Sequence, residues 1–350
     1  MGLIKTRKIE HLRICLEQQV ETGDPLWDEV TLVHQALPEL SIDDIDTSGT
    51  FLGKQLAFPL AIAGMTGGCD EAREINRKLA GIAEKTGIAF GVGSQRAMIE
   101  DPALAETYAV RDVAPNISLL GNIGITALKK YPSAQILQAL HVIGADAVCV
   151  HINPAQELFQ HEGDRDFSGC LEALTHFCKA ITLPVIAKEV GNGISHECAL
   201  KLKAAGVSAI DVGGLGGTSW VLIDSIRSGI DSAVFRNWGI PTAVSVMECQ
   251  VGLPVIATGG IRTGLHMAKA IALGADLCGI ALPFLRVLAK EGTAGVEQYV
   301  NTLRVDFTRA MFLTGCGTVG DLKNARYVLS ADLKKRWGLE MKHIETKTFK

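Results

Sequence analysis

Aromatic residues, excess positive charge and paired cysteines are all scarce in this chain. Only 5% of its 350 residues are aromatic, whereas 47% are hydrophobic and 37 are glycine. That composition is typical of a parallel sheet covered by small-residue helices and joined by tight turns. The net charge of -4 leaves no basic excess to cover phosphates, which argues against nucleic-acid binding.

The chain also lacks the signals of export and membrane insertion. Its nine cysteines show no C-x-x-C pairing, which favours small buried hydrophobes in a reducing compartment. Glu10, Glu17 and Glu21 interrupt any N-terminal signal peptide. The longest apolar window, residues 270–285, is broken by glycine, aspartate and proline, so it predicts no membrane span. We therefore expect a soluble, cytoplasmic protein.

A repeating pattern begins after Pro59, in which a short apolar run ends in a polar residue or glycine and a helix-like stretch follows. Eight such runs predict strands at residues 60–63, 88–92, 117–120, 147–150, 185–188, 209–212, 255–258 and 277–281. Eight nearly all-apolar strands separated by helices predict an α/β fold, a closed (β/α)8 TIM barrel. The alternative is an open doubly wound sheet, but its G-x-G-x-x-G fingerprint after the first strand is missing.

The first 48 residues lack this rhythm and are charged, so they predict an extension placed before the barrel. We predict one domain over residues 1–350. It divides into an N-terminal extension at 1–50, a barrel core at 51–290 and a C-terminal helical segment at 291–350.

Sites in such barrels lie at the carboxyl ends of the strands, so the residues after each predicted strand are candidates. Gly259 and Gly260, followed by Arg262, come after the seventh strand, the usual phosphate position of phosphate-binding barrels. A tight turn is the structural alternative for the two glycines. A second cationic group, separate from Arg262, is formed by Arg7, Lys8, His11, Ser94 and Arg96. Two anion sites indicate two phosphorylated ligands, a bound cofactor and a substrate, although a solvated basic helix start is an alternative for the N-terminal residues.

The stretch from His151 to Glu157 brings an imidazole, two carboxamides and a carboxylate to the end of the fourth strand. Pro154 predicts that this stretch is a loop and not a helix. So many hydrogen-bonding groups at the mouth of a buried strand predict the substrate floor of an enzyme. Glu157 is the candidate Mg²⁺ ligand, because a diphosphate usually arrives with Mg²⁺ held by carboxylates and phosphate oxygens.

Three further strand tips carry groups suited to a planar cofactor. Lys188 ends an apolar strand and is either a surface lysine or an inward charge able to stabilise a reduced flavin. Thr66 and Asn122 offer hydrogen bonds to the edges of such a ring, although each alone also fits a structural role.

A glycine-rich segment, residues 213–220, ends in Trp220, whose ring face suits an apolar tail or a cationic intermediate. A flexible hinge with a packing tryptophan is the structural alternative. Asp224 follows four residues later and would project toward the same mouth if a helical turn intervenes.

Seven motifs, in order along the chain, resemble those of the type 2 isopentenyl diphosphate isomerases, from about residue 5 to residue 320. They are Thr6-Arg7-Lys8 with His11, Met65-Thr66-Gly67-Gly68, Gly93-Ser94-Gln95-Arg96, His151-x-Asn153-x-x-Gln156-Glu157, Lys188-Glu189-Val190-Gly191, Gly216-Gly217-Thr218-Ser219-Trp220 and Gly259-Gly260-Ile261-Arg262. No single motif is specific, but the ordered set is.

The resemblance implies an FMN-binding barrel that interconverts isopentenyl and dimethylallyl diphosphate. It also implies a need for reduced FMN and Mg²⁺, with NADPH as reductant and no net redox change, and a homo-oligomer, either a tetramer or an octamer. Moving a double bond requires a proton added at one carbon and one removed from a neighbour, and an alkene is a poor base. The resemblance thus makes FMN an acid–base catalyst and not a hydride carrier.

The resemblance also implies roles for individual residues. FMN would contact Met65, Thr66, Ser94, Asn122, Lys188 and Thr218, with its phosphate near Gly260, Arg262, Ala281 and Leu282. The substrate would be held by Arg7, Lys8, His11, Ser94, Arg96, His151, Asn153 and Gln156, and Mg²⁺ by Glu157. The catalytic groups near the prenyl tail would be Gln156, Trp220 and Asp224. Asp224 departs from the family, which usually has Glu there, so its carboxylate is shorter by one methylene.

Two other functions fit the sequence less well. An FMN-barrel oxidoreductase would need the active-site cysteine loop of the dehydrogenases or the histidine-base arrangement of the oxidases, and neither is evident. The third hypothesis is a non-catalytic phosphate-binding or assembly barrel, which flavin absorbance of the purified protein, or loss of turnover in a folded Gln156→Ala variant, would argue against.

Overall fold

Eight parallel strands close into a barrel in this computed structural model, which describes residues 2–337, without the side chains of residues 2–5 and 336. The barrel strands are Leu60–Ile62, Ala89–Gly91, Leu119–Gly124, Ala147–Ile152, Val185–Glu189, Ala209–Asp211, Val255–Thr258 and Leu277–Ile280. Each of the eight predicted strands overlaps one of these, and the (β/α)8 fold is confirmed. The last strand pairs with the first, Cys278 opposite Leu60, which excludes the open sheet.

Helices follow the strands and cover the barrel. Within residues 2–337 the α-helices are Gly2–Glu17, Asp70–Thr86, Arg96–Glu100, Ser133–Val142, Pro154–Phe159, Cys170–Ala180, His196–Ala205, Trp220–Ser228, Thr242–Glu248, Gly264–Ala272, Leu282–Leu313, Val319–Leu322 and Ala331–Trp337. Short 3-10 helices span Trp27–Glu29, Ile42–Asp44, Pro102–Thr107, Ile125–Lys129 and Ala233–Phe235. Gly206 shows how a helix passes into a strand: it ends His196–Ala205 with φ of 93°, which glycine adopts without Cβ strain.

The amino end of the barrel is closed by a hairpin of strands Gly49–Phe51 and Lys54–Leu56. Phe51 and Leu56 are buried and belong to the same apolar cluster as alanine, cysteine, leucine and isoleucine side chains of the barrel strands. Because apolar side chains fill the amino end, the cavity opens at the carboxyl end, where the polar strand tips lie.

The segments outside the barrel meet each other. Strand Val30–Leu32 pairs antiparallel with Tyr327–Leu329, so the described part after residue 290 contains a strand as well as helices. Residues 1 and 338–350, parts of the predicted N-terminal and C-terminal segments, lie outside the described residues.

A short strap, residues 20–22, runs from the N-terminal helix Gly2–Glu17 to the barrel mouth. The amide of Ser219 donates to the carbonyl of Val20 at 2.8 Å, and the amide of Thr22 donates to that of Gly217 at 3.2 Å. These bonds tie the basic N-terminal residues to the glycine-rich segment.

The prediction of a loop at His151 to Glu157 is wrong. His151 belongs to the strand Ala147–Ile152, and Pro154 opens the helix Pro154–Phe159. Proline suits the first helical position, because the amide that it lacks has no partner inside a helix there. The helix puts Gln156 and Glu157 one turn above the strand end.

All nine cysteines are free, and seven of them are buried, in line with the hydrophobic role predicted for them. Across residues 2–337, the helices are all too short or too polar to traverse a bilayer.

Candidate active site

One cavity of about 230 Å³ opens at the carboxyl ends of the strands. Nineteen of the twenty predicted site residues line it, from the N-terminal helix and from all the barrel tips that the sequence singled out. The two predicted anion groups thus face the same space. The exception is Asp224, which is fully buried behind the wall and contacts lining residues from there.

The end of the cavity nearest the seventh and eighth strands fits a flavin phosphate. A Cβ on Gly217 would meet the amide nitrogen of Gly260 at 2.7 Å, so two glycine-rich turns approach each other backbone to backbone. Gly260 itself has φ of 68°, a conformation that favours glycine. Burial lowers the pKa of Arg262, whose guanidinium contacts Glu21 at this end of the cavity. Exposed amides beside a cation are what a phosphate requires.

The hydroxyl of Thr66 is a second sign that a ligand belongs here. It is buried and has no hydrogen-bond partner among the described residues. An unpaired buried hydroxyl costs free energy unless a ligand or water satisfies it. Thr66 lies at the tip of the first barrel strand, where the resemblance puts the flavin.

Lys188 lies inside the barrel mouth, which rules out the surface position. Its residue surface is only 8% exposed, and Nζ donates to Asp211 Oδ2 at 2.7 Å. The two residues are paired across neighbouring strands. Asp211 also accepts from the hydroxyl of Thr258. A buried ion pair therefore fixes a positive charge at the floor of the cavity.

The opposite side of the cavity is cationic. Arg7, Lys8 and Arg96 all line it. Burial, then the neighbouring Arg7, lowers the pKa of Lys8 to about 8. Arg96 is held at 2.8 Å by Glu100 on the same short helix. Crowded, partly desolvated cations raise each other's free energy, and a diphosphate would relieve that cost.

Gln156 is held at both ends of its carboxamide. Its Nε2 donates to Asp224 Oδ2 at 2.8 Å, and its Oε1 accepts from Asn153 Nδ2 at 3.0 Å. An ionised carboxylate can only accept hydrogen bonds, so the NH2 end of the Gln156 carboxamide must face Asp224. Burial opposes ionisation of Asp224, but hydrogen bonds from His11, Gln156 and Arg227 outweigh it and hold its pKa below the usual range.

His11 and Trp220 close the cavity beside Gln156. Their ring centroids are 5.2 Å apart at an interplanar angle of 73°, an edge-to-face contact. His11 Nε2 lies 2.9 Å from Asp224 Oδ1 and, facing an ionised carboxylate, carries the hydrogen. The result is an apolar ring face next to a fixed amide, a suitable enclosure for a short hydrocarbon tail.

Glu157 offers a carboxylate with spare acceptor capacity. Its Oε1 accepts from Asn153 at 2.9 Å and its Oε2 from the amide of Asp164 at 2.6 Å. The described residues contain no group of three or more His, Cys, Asp or Glu side chains placed around a metal. Mg²⁺ is commonly held by one or two carboxylates together with substrate phosphates and water, which is the arrangement that Glu157 permits.

His151 is neutral at the cavity wall. Its Nδ1 lies 2.8 Å from Asn122 Oδ1. Burial, then the charges of Lys8 and Lys188, lowers its pKa to about 3. In the unfolded chain the imidazole takes up a proton near pH 6.5, whereas in the folded chain it stays neutral down to about pH 3. The stability that depends on a neutral His151 is therefore fully present above pH 6.5 and is lost progressively as the pH falls toward 3.

Replacing His151 by glutamine is therefore expected to reduce the acid sensitivity of the flavin-free protein. Between pH 7 and pH 5 the variant should lose about 1–2 kcal/mol less free energy of unfolding than the wild type. Urea unfolding at the two pH values measures this. Equal losses in both proteins would show that His151 is protonated in the folded state.

Several contributors to the site went unrecognised in the sequence. Asp211 holds Lys188. Gln95 accepts from the amide of Asn122 at 3.0 Å, and Tyr108 donates to the carbonyl of Ser94 at 2.8 Å. Glu189, quoted only as part of a motif, accepts from the amides of residues 190–192 and shapes that turn. Asp211 alone had a signal: an acid at the end of an apolar run, one strand after Lys188.

Comparisons with known proteins identify the family and the fold. The FMN-dependent dehydrogenase family matches residues 128–329. An isopentenyl-diphosphate delta-isomerase of Archaeoglobus fulgidus is 48% identical over 338 residues, covering 94% of this chain and 97% of that protein. One from Pyrococcus furiosus is 45% identical over 94% of this chain and 88% of its own length.

The solved structure of mandelate oxidase with (S)-2-phenylpropionate has a TM-score of 0.65 at 20% identity, covering 92% of this chain and 94% of that chain. At that identity the likeness supports the fold alone. The relatives that are 45–48% identical over nearly the whole chain also show the family. This chain belongs to the isopentenyl-diphosphate delta-isomerase family of FMN-dependent proteins.

Proposed function

We propose that this chain interconverts isopentenyl diphosphate and dimethylallyl diphosphate in isoprenoid biosynthesis, with FMN bound in the barrel mouth. The observation that carries the proposal is that the motif residues shared with this family line one cavity, with cations at one side and a buried lysine at its floor. Reduced FMN, when bound, supplies an electron-rich ring that exchanges protons and sits beside positive charge without net oxidation.

The residues of the chain have three tasks in this proposal. The first is to hold the diphosphate, which we assign to Arg7, Lys8, His11, Ser94, Arg96, His151, Asn153 and Gln156, with Mg²⁺ bound between the diphosphate and Glu157. The second is to hold FMN, which we assign to Met65, Thr66, Ser94, Asn122, Lys188 and Thr218, and to Gly260, Arg262, Ala281 and Leu282 around its phosphate. The third is to position the prenyl tail.

The tail end of the cavity has to manage a proton and a developing positive charge. We assign proton transfer at the reacting carbons to the carboxamide of Gln156, with Asp224 behind it as acceptor, because a hydrogen bond joins the two side chains. The ring of Trp220 shields the positive charge by its π face and excludes water. Asp224 reaches Gln156 despite its shorter side chain, so the departure from Glu leaves this contact intact.

The remaining assignments rest on the family alone. We propose that NADPH reduces the flavin, that the enzyme works in the cytoplasm and that it assembles as a homo-oligomer, a tetramer or an octamer.

The direct test is an anaerobic assay with purified protein, FMN, Mg²⁺ and isopentenyl diphosphate. We expect dimethylallyl diphosphate to form after the flavin is reduced with NADPH and not while it is oxidised. Many product molecules should appear for each NADPH consumed. Stoichiometric NADPH oxidation coupled to a substrate would instead favour an oxidoreductase, and no product with a folded, reduced enzyme would refute the proposal.

Replacing Glu157 by glutamine is expected to raise the Mg²⁺ concentration for half-maximal activity by about 10–100-fold, because the neutral amide is a poorer ligand for a hard cation. An Mg²⁺ titration at saturating substrate measures it. Glu172→Gln, at an exposed acid on the helix Cys170–Ala180, is the matched control and should leave the titration unchanged. An unchanged Mg²⁺ requirement in Glu157→Gln would show that Glu157 is not the Mg²⁺ ligand.

A further inference from the structure

A line of alternating charges connects the two ends of the substrate cavity outside its wall. Asp224 accepts from Arg227 Nε at 3.0 Å, and Arg227 Nη2 donates to Glu162 Oε2 at 2.7 Å. Glu162 Oε1 in turn accepts from Arg7 Nη1 at 3.4 Å. Arg227 and Glu162 do not line the cavity and belong to none of the motifs shared with the family.

We propose that Arg227 is a positioning residue of this enzyme, acting through Asp224 on Gln156 and through Glu162 on Arg7. The inference rests on the proposed function, because it assigns Gln156 to the prenyl tail and Arg7 to the diphosphate. Arg227 itself touches neither.

The need for Arg227 follows from the burial of Asp224. The side chain of Asp224 is wholly inaccessible to solvent, and its other two hydrogen-bond partners, His11 and Gln156, are neutral donors. A buried carboxylate stays ionised only if charge or several hydrogen bonds offset the loss of water. Arg227, with its side chain 12% exposed, supplies the one full positive charge in contact with it among the described residues.

The ionised state of Asp224 decides how Gln156 points. An ionised carboxylate accepts the amide of Gln156 and leaves its oxygen toward Asn153. A protonated Asp224 could donate a hydrogen bond, and the carboxamide of Gln156 could then turn over and present its oxygen to Asp224. Arg227 therefore determines, through the charge of Asp224, in which of its two orientations the carboxamide of Gln156 is held.

The helix geometry brings Arg227 to Asp224. Asp224 and Arg227 are three residues apart on the helix Trp220–Ser228, so they lie on one face. The guanidinium bridges the short carboxylate and Glu162 with different nitrogens. Arg227 binds Oδ1 of Asp224, whereas Gln156 binds Oδ2, so the two contacts together fix the carboxylate.

Several titratable and charged side chains surround Asp224 and Arg227 and influence the pKa of Asp224. The groups that face Asp224 or Arg227 from the packed elements are Arg7, Glu10, His11 and Cys15 of the N-terminal helix, Gln156 of the helix Pro154–Phe159, and Glu162. Burial raises the pKa of Asp224, and contacts with His11, Gln156 and Arg227 lower it. Because Arg227→Met removes one of these opposing contacts, we expect the pKa of Asp224 to rise in that variant.

The test is the pH dependence of kcat for isopentenyl diphosphate in Arg227→Met, with the holoenzyme and saturating Mg²⁺. We expect kcat to fall about 10–100-fold at neutral pH, as for a misplaced catalytic group, with an acid limb displaced to higher pH than in the wild type. KM should rise as well, because Glu162 loses the guanidinium that holds it beside Arg7. Arg227→Lys should restore part of kcat and move the acid limb back.

A second variant tests the link to Arg7. Glu162→Gln keeps the charge of Arg227 on Asp224 but frees Arg7, so we expect a raised KM with kcat within about twofold of the wild type. Arg236→Met, at an exposed arginine outside the site, is the matched control.

The outcomes separate the two claims. A wild-type enzyme that forms no dimethylallyl diphosphate would refute the proposed function. An active wild type whose pH profile is unchanged in Arg227→Met would refute only the role of Arg227. If Arg227→Met fails to fold, the pH profile of Arg227→Gln decides, because this variant keeps a donor but removes the charge, and an unshifted profile there overturns the inference.

Discussion

Replacing Gln156 by alanine is expected to lower kcat for isopentenyl diphosphate by about 10²–10⁴-fold, the usual contribution of a positioned proton-transfer group. The variant loses the carboxamide held between Asn153 and Asp224. FMN binding should be unchanged, since Gln156 is not among the residues assigned to the flavin. Anaerobic turnover and a flavin-fluorescence titration measure the two quantities.

Gln298→Ala is the control for this substitution, because Gln298 is exposed on the helix Leu282–Leu313. It should retain the wild-type kcat. If Gln156→Ala bound FMN normally and kept more than about a tenth of wild-type kcat, below the usual range for an acid–base group, proton transfer would have to be assigned to another residue.

The second large effect is expected at Lys188. Lys188→Met removes the cation from a buried pair and leaves Asp211 in the barrel mouth with the hydroxyl of Thr258 and the amide of Gly213 as its donors among the described residues. Breaking a buried ion pair from one side costs about 3–5 kcal/mol in the free energy of unfolding. The variant should also bind FMN more weakly and shift the flavin reduction potential, because a fixed positive charge beside the ring is lost.

A double variant separates stability from function. Lys188→Met with Asp211→Leu removes both charges and should recover most of the unfolding free energy, since an apolar pair is often as stable as a buried ion pair. It should not recover FMN affinity. Lys179→Met, on an exposed helix face, should change the unfolding free energy by less than about 0.5 kcal/mol. Equal stability of Lys188→Met and the wild type would contradict a buried pair.

The barrel was predictable because its strands are buried on both faces. A parallel strand covered by helices reads as an unbroken apolar run, and Val255–Thr258 was located to the residue. The polar tips were predictable for the same reason, since they stand out where each run ends.

The local structure after His151 was not predicted correctly, because proline is compatible with either a loop or the first turn of a helix. The sequence alone does not distinguish these, and here Pro154 begins a helix. The consequence is functional, since a helix fixes Gln156 more rigidly than a loop would.

Contacts between residues that are far apart in the chain could not be predicted from the sequence. Lys188 and Asp211 were visible as charges in apolar runs, but only the strand register shows that they pair. Arg227 and Glu162 are 65 residues apart and lie in segments whose composition is ordinary for a protein surface. Their alignment between Arg7 and Asp224 depends on how the N-terminal helix packs against the helix Trp220–Ser228, which no local pattern specifies.

The central claim is that a flavin and a prenyl diphosphate occupy one cavity, the flavin over Lys188 and the diphosphate beside Arg7 and Arg96. A crystal structure with FMN, Mg²⁺ and isopentyl diphosphate, a saturated analogue that cannot react, measures this directly. We predict the flavin phosphate at Gly260 and Arg262, the Mg²⁺ on Glu157, and the tail between the flavin and Trp220. A diphosphate bound outside this cavity, or a flavin bound away from Lys188, would contradict the account.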